Sequence, residues 1–247
     1  MSVGVRAPGQ MMLMYGSTIF IIEVTAQAVR DPRLWYAPWL TPGLHASMSG
    51  LATSGTLIRW FRDRFAPGAT WEALVAEAAE SPAGANGIVC LPHFSGERTP
   101  IHDPGAKGAF LGLDLTHTRG DVFRSVLEGI ASGTAHVLET YRDAGAPAET
   151  IFAVGGGTKN GVWLQATSDL GGVPQVVREK TVGASYGDAF LAAAAVGIVA
   201  PGDIEAWNPP ARTVTPARVD AYDRQYPLWK ELYLRTREIS HALGAGR

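Results

Sequence analysis

The chain of 247 residues has one cysteine, no excess of either charge and no long hydrophobic run. A single thiol, Cys90, rules out a disulfide framework within the chain and fits a reducing compartment. It sits in the apolar run Gly87-Ile88-Val89-Cys90-Leu91, which reads as a buried strand and gives the thiol a packing role. Acidic residues number 23 and basic residues 21, for a formal net charge of -2. That near balance argues against a protein whose main task is to hold nucleic acid. The longest apolar stretch, Ala189 to Ala200, is alanine-rich and shorter than the ~20 residues of a membrane span. Met11-Met12-Leu13-Met14 is interrupted by Gly16, Ser17 and Thr18 and does not read as a signal peptide. The expectation is a cytoplasmic protein. Two nucleotide-binding motifs also fall short. No P-loop string occurs. The dinucleotide fingerprint is incomplete: Gly155 and Gly157 fill two of its places, Asn160 stands in the third, and Glu179 falls near the position of a ribose-binding acid.

Glycine is what the chain has in plenty, with 29 residues, roughly 12% against a usual ~7%. These glycines lie between apolar runs and read as tight turns. Hydrophobic residues at 46% and charged residues at 18% describe an ordinary globular chain, long enough for a sizeable core. The stretch Ile151-Phe152-Ala153-Val154-Gly155-Gly156-Gly157-Thr158-Lys159-Asn160 organises the rest. A short buried strand breaks into three glycines before a helix over Val162 to Leu170, bringing bare backbone N–H groups to a surface. A tight strand–helix turn without a ligand has the same local pattern.

Taken in order, Met11–Tyr15 and Ile19–Val24 predict a hairpin whose tip, Gly16-Ser17-Thr18, carries amide and hydroxyl donors suited to a phosphate. Arg30 to Leu44, with Trp35, Tyr36 and Trp39, reads as an ordered loop or irregular strand, and His45–Gly50 as a strand. Thr53-Ser54 offers an N-cap for a helix with Leu57, Ile58, Trp60, Phe61 and Phe65, and Thr70 caps a second helix. A strand at Ile88–Leu91 precedes a long loop, Pro92 to Lys107. Its His93, Glu97, His102 and Asp103 match no compact metal-ligand spacing. Phe110–Leu115 is a short apolar piece. Thr118 caps a helix over Arg119–Arg142 with one apolar side, and Gly145 stops it. A strand at Pro174–Val177, a small-residue helix at Gly183–Gly197 and a last helix at Pro216–Leu243 complete an α/β chain read as one domain over 1–247, with a mixed sheet flanked by helices.

Several stretches together carry a resemblance. Gly108-Ala109-Phe110-Leu111-Gly112-Leu113, followed after seven residues by Asp121-Val122-Phe123-Arg124-Ser125-Val126-Leu127-Glu128, is similar to the second signature of the FGGY carbohydrate kinases and meets its constrained positions. Gly96-Glu97-Arg98-Thr99-Pro100 resembles the same family, especially its xylulokinase-like members. Gly155 to Gln165 resembles the family's adenosine motif, and Gly183-Ala184-Ser185-Tyr186-Gly187-Asp188-Ala189 its closing glycine–alanine helix. The resemblance runs in register from about Met11 to Val199.

The resemblance implies an actin-like ATPase, ribonuclease-H-like fold, and specifically the C-terminal, ATP-binding domain. The sugar-binding domain, with the family's catalytic aspartate, has no counterpart in this sequence. The implied role is the nucleotide-binding half of a kinase for a ketose or polyol such as xylulose, a phosphotransferase with an alcohol group as acceptor, inactive alone. ATP and Mg²⁺ are the implied cofactors, and the sugar would be met through the other half. Gly16, Ser17 and Thr18 fall where the family holds the β- and γ-phosphates. Ser17 replaces a threonine common there but keeps the hydroxyl. Gly55 and Arg59 match positions edging the adenosine pocket, with Arg59 in place of an amide side chain; a solvated helix charge explains it equally well. Gly156, Gly157 and Asn160 match the adenosine motif. Ser125 and Glu128 read as packing or capping residues. Trp35, Tyr36 and Trp39 suit either core packing, cover for the face left by the absent half, or the joint of a homodimer. A non-catalytic actin-like nucleotide-binding module and a Rossmann-type NAD oxidoreductase are the alternatives.

Overall fold

The computed structural model describes residues 2–245. The predicted hairpin forms, with β1 (Gln10–Tyr15) antiparallel to β2 (Ile19–Thr25). Alternate residues are buried along β1 and over Ile19 to Glu23 of β2, as one packed face of a sheet requires, and Val24 and Thr25 are buried as well. β4 (His45–Leu51) pairs with β2, and β3 (Trp35–Pro38) adds an exposed edge strand within the aromatic–proline stretch. On the other side of β1, β7 (Thr150–Val154) and β8 (Gln175–Arg178) run parallel to it. With β9 at Pro210–Val214, the seven-stranded order is β3-β4-β2-β1-β7-β8-β9, and β5 (Val89–Leu91) with β6 (Ala109–Leu111) forms a separate hairpin.

β9 (Pro210–Val214) and the short helix α6 (Ile204–Trp207) are not foreshadowed in the sequence. β9 is exposed over four of its five residues, so it lacks the apolar alternation by which a strand is recognised. It forms because β8 offers an unpaired edge.

Helices α1 (Gly55–Phe65), α2 (Trp71–Glu80), α3 (Arg119–Asp143) and α4 (Gly161–Gly171) share the main core with the inner face of the sheet. The sequence suggests one apolar side for α3, yet it is buried almost all round from Gly120 to Tyr141. The sheet, α2, α4 and β5 enclose it. Its polar residues tolerate this because Ser132, Thr134 and Thr140 donate to carbonyls one turn back. Glu128, 6% exposed, accepts from Arg124, from Gly84 N and from Tyr222 of the final helix α7 (Asp220–Gly244), pinning that helix to α3. This is the packing role expected of Glu128, and Ser125 likewise donates to Val122 O within the helix. α7 starts four residues later than the sequence suggests and buries only Tyr222 and Trp229.

The opposite face of the sheet carries a smaller cluster: Val3, Val5, Val24, Phe152 and Val154, with Met12, Met14 and Trp39 against it. Trp35 and Tyr36 stay 40% and 51% exposed, whereas Trp39 packs. The small-residue helix α5 (Ala184–Ala195) buries only Gly187 and Phe190. No helix among the described residues is long and apolar enough to cross a membrane.

Candidate functional site

β1, β7 and β8 are parallel, so their C-terminal ends share one edge of the sheet. Open α/β sheets take ligands at such an edge. β1 runs into Gly16-Ser17-Thr18, and β7, its neighbour at about 4.8 Å, runs into the turn Gly155–Lys159. The two stretches singled out in the sequence therefore lie side by side.

Thr53-Ser54 does precede α1, but Ser54 does not cap it through its side chain. Instead the Ser54 hydroxyl donates to Gly16 O at 3.0 Å. Backbone N–H groups of Ser54, Gly55 and Thr56 donate to the carbonyls of Ser17, Gly16 and Ser17 at 3.0–3.2 Å, and the Thr56 hydroxyl adds a bond to Ser17 O at 3.0 Å. A Cβ on Gly55 would collide with Gly16 O, so glycine here permits the contact. The start of α1 thus consumes the carbonyls of the hairpin tip. Among the described residues, the amides and hydroxyls of Ser17 and Thr18 make no hydrogen bond within the chain. A turn with its acceptors tied behind it and its donors free suits an anion.

The three glycines of the second turn differ in what they do. Gly155 has φ +98°, and its Cβ would lie 2.6 Å from Tyr15 O, so β7 can leave the sheet against β1 only through glycine. A Cβ on Gly157 would lie 2.5 Å from the Trp163 ring and 2.8 Å from Tyr15 Cβ. Gly156 has nothing within 4 Å of that position. Packing requires Gly155 and Gly157; Gly156 is bare on an open surface. Asn160 caps α4, its Oδ1 accepting from Trp163 N at 3.1 Å, which leaves its amide nitrogen for other use.

Beneath the turn, Tyr15 and Trp163 meet edge to face at 4.7 Å, and each is 1% exposed. Tyr15 OH donates to Gln175 Oε1 at 2.6 Å, and Gln175 in turn donates to Leu164 O and Ser168 Oγ. Burial pushes the Tyr15 phenol well above its ordinary range, so it remains a neutral donor. Arg212 of β9 donates to Thr158 O at 2.7 Å from outside the turn. Tyr15, Trp163 and Arg212 support the site without having been candidates from sequence; the first two look like ordinary core residues, and Arg212 lies in the strand with no sequence signal.

Among the described residues, Arg59 pairs with Asp63 and bonds to neither turn. Its side chain is 74% exposed and lies 3.7 Å from Asp63 one turn along, the geometry of a solvated helix pair. The loop histidines do not combine into a metal centre. His93 pairs with Glu97, whereas Asp103 pairs with His241. No group of three or more His, Cys, Asp or Glu suited to a metal occurs among the described residues. Cys90 is buried, and burial pushes its thiol up, away from nucleophile chemistry.

Residues 11–196 match the C-terminal domain of the FGGY family of carbohydrate kinases. Xylulose kinase of Bacillus subtilis (strain 168) is 30% identical over 210 residues, covering 81% of this chain and 41% of that protein. Glycerol kinase of Paenarthrobacter aurescens is 31% identical over 237 residues, covering 91% of this chain and 46% of its relative. The crystal structure of xylulose kinase from Rhodospirillum rubrum superposes with a TM-score of 0.88 at 35% identity, covering 97% of this chain and 50% of that one. The chain spans about half the length of the curated relatives it matches. Its mixed sheet with flanking helices is the actin-like ATPase fold of these kinases. The chain belongs to the FGGY family of carbohydrate kinases, in the part that forms the family's C-terminal domain.

Proposed function

We propose that this chain forms the nucleotide-binding half of an ATP-dependent carbohydrate kinase acting on a ketose or polyol, with xylulose the favoured case. The observation that carries the reading is the hairpin tip. Its Gly16 and Ser17 carbonyls are bound by α1, and the Ser17 and Thr18 donors are free beside the open surface of Gly156. In this reading Ser17 and Thr18 hold the β- and γ-phosphates. The adenosine lies over Gly156 and Gly157, with the Asn160 amide nitrogen donating to base or ribose. Gly55 serves by keeping α1 against the tip, and Arg59 edges the pocket from α1. The residues around the tip offer amides and hydroxyls and no carboxylate cluster. Mg²⁺ would be carried by the nucleotide phosphates that Ser17 and Thr18 hold, and would supply neutralisation of their charge during transfer to a sugar hydroxyl. The general base and the sugar contacts come from residues outside this sequence, and the single buried thiol fits work in a reducing cytoplasm.

The test is calorimetry of the purified chain with MgADP and with NAD. ADP bound in preference to NAD supports the reading, and NAD preference overturns it in favour of an oxidoreductase. Gly156→Val adds a branched side chain where the open surface now lies, and is expected to abolish ADP binding without loss of fold. Unchanged ADP affinity in that variant would remove adenosine from this turn.

A further inference from the structure

The loop containing Gly96-Glu97-Arg98-Thr99-Pro100 lies alongside the end of β4 and the start of α1. Three bonds fasten it there. Thr99 N donates to Gly50 O at 3.2 Å, Ala52 N donates to Glu97 Oε1 at 2.7 Å, and Ser95 N donates to Thr53 Oγ1 at 3.2 Å. Glu97 is 5% exposed, and its Oε1 also accepts from Arg98 N at 2.7 Å. Its Oε2 lies 3.3 Å from Nδ1 of His93, itself 2% exposed. The His93 imidazole stands between the Trp229 and Tyr233 rings of α7, at 5.8 and 5.5 Å. Among the described residues its other nitrogen, Nε2, has no partner, and the residue lines a cavity of about 20 Å³ together with His136 and Lys230.

The carboxylate is thus held by two groups of its own loop, Arg98 N and His93, and the His93 ring in turn packs against α7. In front it holds the amide of Ala52, where the β4 ladder has ended. The next residues, Ser54, Gly55 and Thr56, are those whose amides bind the carbonyls of Gly16 and Ser17. We infer that Glu97 is a positioning residue for the hairpin tip: by anchoring Ala52 it sets where α1 begins, and so how the Ser17 and Thr18 donors are presented. The phosphate part of this inference rests on the nucleotide reading above; the mechanical part does not.

Two measurements on the purified chain test it. Hydrogen exchange without ligand compares wild type, Glu97→Ala and Glu97→Gln. Loss of the Ala52 anchor predicts exchange at the Ser54, Gly55 and Thr56 amides faster by about tenfold in Glu97→Ala. Leu164 and Ala166 of α4 should be unchanged. Glu97→Gln keeps an oxygen at the Oε1 position and restores protection. Calorimetry then compares MgADP with AMP, which lacks the β-phosphate. Glu97→Ala is expected to weaken ADP by about tenfold while AMP stays level, and Glu97→Gln to recover ADP. If Glu97→Ala does not fold, Thr53→Val removes the neighbouring Ser95 bond and should speed exchange at the same three amides. Exchange unchanged at 54–56, or raised equally in α4, overturns the inference, as does an equal loss of ADP and AMP. A wild-type chain that binds no ADP overturns the nucleotide reading and the phosphate part of this inference, leaving the exchange result to judge the anchor.

Discussion

Two adjacent glycines in the Gly155–Lys159 turn should respond to the same substitution in opposite ways. At Gly157 an alanine Cβ would come within 2.5 Å of the Trp163 ring and 2.8 Å of Tyr15 Cβ. Neither neighbour is a free side-chain end: both rings are 1% exposed, they pack against each other, and the Tyr15 hydroxyl is held by Gln175. Relief requires moving the turn or the rings, at the cost of overpacking, about 1–3 kcal/mol. In a chain of this size each kcal/mol lowers the midpoint by about 2–4 °C, so Gly157→Ala should lose between about 2 and 12 °C. At Gly156 the same methyl meets nothing within 4 Å, and the backbone is not in the left-handed region. Gly156→Ala therefore removes only freedom from the unfolded chain and should gain about 0.4–1 kcal/mol. Differential scanning calorimetry of the two variants beside wild type reads this directly. Equal destabilisation by both, or a Gly157→Ala midpoint at the wild-type value, would refute the division between a glycine needed for packing and one left bare on the surface.

Two carboxylates should shape the pH dependence of stability in opposite directions. Burial raises the Asp121 pKa, but hydrogen bonds from Ser81, from the amide and hydroxyl of Thr118, and from Asn86 outweigh it and hold the group at about 2. Its contribution is complete above the unfolded value near 4 and fades as pH falls toward 2. Asp121→Ala, which also breaks the capping box of α3, should cost about 0.5–2 kcal/mol at pH 6 and flatten the acid limb of a midpoint-versus-pH series. Glu23 is the reverse case. It is buried in the middle of β2 opposite Ser47, its Oε2 has no partner among the described residues, and burial pushes its pKa up to about 8. The folded chain holds that proton more tightly than the unfolded one, so stability should fall as pH rises from about 4.5 through 8. Glu23→Gln should match wild type near pH 4.5 and exceed it at pH 8.5 in thermal melts, and equal slopes in the two proteins would count against it.

Much of the fold can be read along the chain because each element has a local signal. Alternating burial in β1 and β2, Thr70 and Thr118 as helix caps, and Gly145 as a stop are effects of near neighbours. The stretches that meet at the sheet edge, Gly16–Thr18 and Gly155–Asn160, were legible for the same reason, since glycines and hydroxyls after an apolar run mark a turn wherever it ends. Their side-by-side placement was not legible, because it depends on β1 and β7 being neighbours in parallel across more than a hundred residues of intervening chain. The same holds for Ser54, which has the residue type of a cap but spends its hydroxyl on Gly16 O. β9 had no signal, since an exposed edge strand is specified by the unpaired edge of β8 and not by its own side chains. Local residue chemistry thus determined the elements and the resemblance to a kinase half. Tertiary structure decided which donors at the hairpin tip are free, which glycine is bare, and that a glutamate 45 residues from Ala52 fastens the chain just ahead of α1, because each depends on contacts between segments that the sequence keeps apart.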